Sequence, residues 1–180
     1  QDRIALARLG FYGYGPLAGG TLQGRATITQ GFDALGATQR GDPLASRLDA
    51  PPGFTTLSWW LNWRRSLAAR VSLSLAANGQ FSTDPLLIGE NFVLGGNAFL
   101  RGYDFAQRVG DQGVAGVGEL RYDWPTALGA VDHLQLYAFA DGGTVRNLDG
   151  GFGDGSLASS GAGLRADVTG NLDFDLEVAV

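Results

Sequence analysis

The chain has 180 residues, the size of one domain or of part of a larger one. Its 13 cations against 18 anions leave a net charge of −5, so there is no basic surplus to neutralise a nucleic-acid backbone. With no cysteine, no methionine and one histidine, it cannot build a disulfide framework, a thiolate zinc site, a catalytic thiol or a histidine-cluster metal site.

Mean hydropathy is +0.00, and no run approaches the roughly 18 apolar residues that a spanning helix needs. The 29 glycines follow no collagen-like period; glycine this dense makes long helices costly, whereas bends and close approaches in a sheet use it. The fold class expected is all-β. Residues 1–10 show no secretory signal, and the chain opens close to a strand and closes inside one, which reads as a fragment of a longer protein.

In chain order, alternation predicts strands over 3–13, 21–32, 54–65, 70–81, 114–124, 133–145, 158–168 and 172–180. In the third, Leu57, Trp59, Leu61 and Trp63 alternate with Ser58, Trp60, Asn62 and Arg64. In the fourth, Val71, Leu73, Leu75, Ala77 and Phe81 oppose Ser72, Ser74, Asn78 and Gln80. The last places Leu172, Phe174, Leu176, Val178 and Val180 opposite Asp173, Asp175 and Glu177.

Such alternation also suits a soluble β-sandwich, but three features favour a membrane barrel. The strands have the roughly ten-residue length of a tilted transmembrane strand. The polar face carries Ser, Thr, Asn, Gln and paired charges, and all 13 cations are arginine. Short connectors (near 14–20, 66–68, 125–132 and 169–171) alternate with long ones (33–53, 82–113 and 146–156), as in outer-membrane barrels. Hydrocarbon satisfies no backbone polar group, so the strands need closure into a barrel. About eight strands of an antiparallel transmembrane β-barrel are expected, one partial domain over 1–180, part of a larger barrel and not a closed one.

The 82–113 connector is too long to be idle and too apolar for a solvated loop, so it is expected to fold back into the lumen. Strand parity directs Tyr137, Phe139 and Asp141 inward, away from Leu134, Leu136, Ala138 and Ala140. It likewise directs Glu119 and Arg121 inward, away from Gly118, Leu120 and Tyr122. Arg101 on the loop offers a planar fork suited to carboxylates. Gly102 permits close approach to the wall, and Tyr103 can pack while its hydroxyl finds a partner. An Arg101–Asp141 ion pair is the expected latch, with Glu119 as a further acceptor.

The run Leu94-Gly95-Gly96 followed by Leu100-Arg101-Gly102-Tyr103 resembles the loop-six motif of the outer-membrane protein translocation and assembly superfamily. Phe139-Ala140-Asp141-Gly142-Gly143 resembles its FxDxG strand, and Gly118-Glu119-Leu120-Arg121-Tyr122 the strand after loop six. Asn78-Gly79-Gln80-Phe81, Leu86 and the 92–96 run are similar to the two-partner secretion transporters of the haemolysin-activator and filamentous-haemagglutinin-transporter group.

That resemblance implies a sixteen-strand barrel preceded by POTRA domains, of which this chain holds roughly strands eight to fifteen. It implies an outer-membrane location among lipid and a pore passing an unfolded, large secreted exoprotein of haemolysin or adhesin type. The alternative is an assembly factor that inserts other barrels.

No cofactor, metal or nucleic acid is expected, and no enzyme activity. His133 has no serine or carboxylate spaced for a triad, and neither a GxSxG elbow nor a P-loop occurs. The 149–155 stretch has one imperfect copy of a calcium-binding repeat and reads as a flexible loop.

Overall fold

The computed structural model describes residues 2–125, 131–150, 153–168 and 172–180. The short connectors expected at 125–132 and 169–171, and part of the 149–155 stretch, include residues outside that description. Among the described residues ten strands form: β1 (Ala5–Leu17), β2 (Gly20–Phe32), β3 (Thr55–Ala68), β4 (Val71–Ser82), β5 (Phe92–Leu94), β6 (Arg108–Gly110), β7 (Gln112–Trp124), β8 (Val131–Arg146), β9 (Gly155–Val168) and β10 (Leu172–Ala179). A 3₁₀ turn occupies Ile88–Glu90.

Eight of these strands make one antiparallel sheet in the order β1-β2-β3-β4-β7-β8-β9-β10. Each is bonded to its sequence neighbour, except that β7 follows β4 around the β5–β6 hairpin. All eight expected strands are present, several a little longer than their alternation suggested. The first differs most. Gly13, Gly15 and Pro16 look like a turn but continue β1, with Pro16 opposite Thr21, so the connector shrinks to Ala18-Gly19 at φ 50° and 74°. Proline is tolerated there because Pro16 stands beside the hairpin-closing Leu17–Gly20 pair, at the end of the ladder.

The two faces differ as the alternation requires. One carries Leu9, Phe11, Leu57, Leu61, Leu75, Leu120, Leu136, Phe174 and Val178, all exposed. An apolar belt this large is stable only against hydrocarbon or another apolar surface. The opposite face carries Thr29, Thr56, Ser74, Glu119, Asp141 and Ser159, all buried. No helix among the described residues is long and apolar enough to cross a membrane, so any crossing is made by strands.

The core lies where the 83–111 loop meets the inner face. Phe92, Leu94, Leu100, Ala115 and Val145 cluster there, flanked by Phe99, Tyr103 and Leu157. Leu94 and Leu100 are fully buried. Gly143 on β8 makes room for this contact, since a Cβ there would lie 2.8 Å from the Leu94 Cδ2. A fully buried leucine contributes roughly 1.5–3 kcal/mol. The loop is therefore held to the wall by packing before any charge is counted.

Candidate functional site

Registers place the inner-face residues on a grid. Glu119 stands opposite Phe139, and Phe139 opposite Gly161. One row along, Arg121 stands opposite Tyr137, Tyr137 opposite Gly163, and Gly163 opposite Glu177. In the next, Gln135 stands opposite Arg165 and Arg165 opposite Asp175. On the other side of Glu119, Asp141 stands opposite Ser159.

The two glycines of β9 decide how the aromatic rings lie. A Cβ on Gly161 would come within 2.7 Å of the Phe139 ring, and one on Gly163 within 2.6 Å of the Tyr137 Cζ. With those positions empty, both rings fold across β9 and make a platform, with centroids 6.4 Å apart and planes 30° apart. Arg101 lies over Phe139 with its Cζ 4.2 Å from the ring centroid, and Arg165 lies over Tyr137 at 3.9 Å. These are cation–π distances.

The Arg101 guanidinium divides its fork between two strands, giving Nη2 to Glu119 Oε2 at 2.9 Å and Nη1 to Glu177 Oε2 at 2.7 Å. Glu119 is shared further. Its Oε1 accepts Arg121 Nε at 2.6 Å and Arg165 Nη1 at 2.9 Å. The single hydroxyl proton of Tyr137 is shared between Glu177 at 2.8 Å and Asp175 at 3.0 Å. Three guanidiniums thus meet three carboxylates on a mostly buried surface, and Glu119 is the common acceptor. Desolvating charges costs several kcal/mol each, and a network of this kind recovers it only through such multiple hydrogen bonds.

The expected Arg101–Asp141 ion pair is not formed, and this corrects the sequence reading. Asp141 holds the loop by its backbone: Oδ2 accepts the Leu100 N–H at 2.8 Å and the Arg101 N–H at 3.2 Å, and Oδ1 accepts the Ser159 hydroxyl. The reason is length. The main chain of the tip lies against this short carboxylate, so the long arginine side chain reaches past it, across Phe139, to the rows beyond.

Leu100 adopts φ 62° to offer both amides to one oxygen, a left-handed conformation costing about 1–2 kcal/mol for an L residue. Gly102 donates its N–H to Ser159 Oγ at 3.2 Å, and a Cβ there would meet Ser159 Cβ at 3.0 Å and the Val180 carbonyl carbon at 3.1 Å. Tyr103 donates its hydroxyl to the Ala158 carbonyl at 3.2 Å.

The structure brings together Arg101, Gly102, Tyr103, Glu119, Arg121, Phe139 and Asp141, while Gly143 serves the packing of Leu94 beside them. Sequence reasoning missed Arg165, Glu177, Asp175 and Ser159. Alternation already put the first three on the polar face of their strands, but which of them meets Arg101 depends on register. His133, for which the sequence offers no triad spacing, lies half-exposed between Asp123 at 3.3 Å and Asp167 at 3.7 Å. Among the described residues no group of three or more His, Cys, Asp or Glu is arranged to hold a metal ion.

An antiparallel sheet with an apolar outer belt, a polar inner face and a loop docked on that inner face defines a section of transmembrane β-barrel wall. The family described as haemolysin secretion/activation protein ShlB/FhaC/HecB matches residues 1–166, and the chain belongs to it. Among solved structures, CdiB from Escherichia coli superposes with a TM-score of 0.83 at 21% identity, over 99% of this chain and 33% of CdiB. The chain therefore spans about a third of that protein's length. No curated protein matches.

Proposed function

We propose that this chain forms part of the wall of an outer-membrane pore that passes an unfolded partner exoprotein in two-partner secretion, with the 83–111 loop as its gate. The family supports a transporter. The observation that carries the gate is the docking of the loop tip on the inner wall: Arg101 on Glu119 and Glu177, with Asp141 on the backbone of residues 100 and 101. A polar lumen lowers the cost of passing hydrated backbone, and a docked tip obstructs it until displaced.

The magnitudes suit a latch. Unit charges about 4 Å apart attract by roughly 4 kcal/mol at an effective dielectric near 20. Much of this is offset by desolvation, so the net hold is a few kcal/mol. A competing chain can displace such a hold.

Arg101→Ala isolates the latch, because Glu119 keeps Arg121 and Arg165, and the partly exposed Glu177 keeps the Tyr137 hydroxyl. We expect that substitution in the full-length protein to reduce exoprotein secretion at least about tenfold while membrane insertion, read by heat-modifiable migration, stays normal. Arg101→Lys fails to restore it, since one ammonium cannot fork to two strands and stack on Phe139. Wild-type secretion by Arg101→Ala overturns the gate.

A further inference from the structure

The loop has a second attachment that shares no residue with the tip. Leu86 lies just after β4 and Asp111 just before β7, so they mark the two stems of the loop's neck. Asp111 is fully buried. Its Oδ1 accepts the Leu86 N–H at 2.8 Å and Arg47 Nη1 at 2.7 Å. Its Oδ2 accepts the same Arg47 nitrogen at 2.8 Å and the Leu148 N–H at 2.8 Å.

Arg47 is itself fixed, donating Nε to Asp49 at 2.8 Å and Nη2 to the Leu148 carbonyl at 2.7 Å. The Asn147 side chain donates to the Val109 carbonyl at 3.2 Å, and Gln80 donates to the carbonyls of Glu90 at 2.8 Å and Asp111 at 3.2 Å. A single buried carboxylate therefore joins both stems of the 83–111 loop to the 33–54 and 147–154 connectors. Withdrawing the loop whole would part Asp111 from Arg47 and from the Leu148 N–H, stranding a buried charge, the costliest kind of rupture. The tip pays less: Asp141 also gives up two backbone donors when it parts, but it keeps the Ser159 hydroxyl, and Glu119 keeps two arginines.

We infer that Asp111 and Arg47 are positioning residues that hold the neck of the loop closed, so that the tip swings free from a fixed root and the loop is not withdrawn whole. The functional meaning of this rests on the gating reading above; the fixed root does not.

Hydrogen exchange on the full-length transporter in lipid nanodiscs tests it, because the amides concerned report each attachment directly. In Arg101→Ala, the amides of Leu100 and Arg101 should exchange at least about tenfold faster, while those of Leu86 and Leu148 stay within about twofold of wild type. In Arg47→Ala the pattern should reverse, with Leu86 and Leu148 accelerated about tenfold or more. Asp111→Asn, which keeps size and one acceptor, replaces Arg47→Ala should that variant fail to insert.

Acceleration of both amide sets by either variant, or unchanged Leu86 and Leu148 in Arg47→Ala, overturns the fixed root. Secretion measured on the same variants separates the two ideas. Normal export by Arg101→Ala removes the gate, whereas the neck amides still decide the root.

Discussion

Glu119 is the acceptor on which the inner-wall cluster converges, and its loss has a different consequence from the loss of Arg101. Glu119→Gln leaves Arg101, Arg121 and Arg165 facing one another across a surface on which Glu119 is only 3% exposed. Truncating one partner of a buried network costs about 3–5 kcal/mol. We expect the heat-modifiability midpoint to fall and membrane insertion to drop with it. Asp175→Asn should cost no more than about 1 kcal/mol, because Asp175 is 56% exposed and water screens it.

In the connector between β8 and β9, Asp154 gives a pH signature. The backbone N–H and then the side chain of Asn147 hold its carboxyl below the ordinary value of 3.8. A carboxyl lowered on folding contributes stability that is complete above its unfolded value and is lost as pH falls through the folded one. The Asn147 amide should therefore lose exchange protection below about pH 4 and keep it from there to neutrality, while Asp154→Asn should remove that dependence.

The β9 strand shows how two absent side chains build a site. Gly161 and Gly163 let Phe139 and Tyr137 lie flat, and the flat rings carry Arg101 and Arg165. A Cβ at Gly161 would press on the Phe139 ring and on the Val178 carbonyl oxygen of β10, so Gly161→Val disturbs the platform and the neighbouring ladder together. Exoprotein secretion should then fall several-fold although no charge has changed and β9 gains a residue that strands favour. Unimpaired secretion would show that the platform is dispensable.

The strands themselves were legible because alternation is a local property: each residue's face follows from its neighbours two positions away. Their polar side even included Asp175, Glu177 and Arg165. The pairing of Arg101 with Glu177, 76 residues away, was not legible. It depends on the registers of β7–β8, β8–β9 and β9–β10 together, and on where the tip's backbone comes to rest. The Arg47–Asp111 contact was hidden for the same reason, since it joins two connectors that have no repeating pattern to phase them.

Taken as a whole, the chain is an open sheet with β1 and β10 each bonded along one side among the described residues. Unpaired strand edges in hydrocarbon are untenable, and in water they recruit other strands. The isolated 180-residue chain should therefore fail to give a compact, heat-modifiable band in detergent and should aggregate on dilution into buffer. A monomeric, heat-modifiable product would mean that the eight strands close on themselves.

The contact between Asp141 and the loop carries a further implication, for how such proteins diverge. Asp141 engages amide groups, which every amino acid except proline supplies, so it does not read the identity of the residues it holds. Within the limits of a fully buried, left-handed position, residue 100 can exchange leucine for another apolar side chain without β-branching and keep its seat, whereas an apolar residue in place of Asp141 leaves both amides unpaired. Random mutagenesis followed by selection for export should accordingly recover at position 100 only apolar side chains without β-branching, such as methionine, and almost no substitution of Asp141.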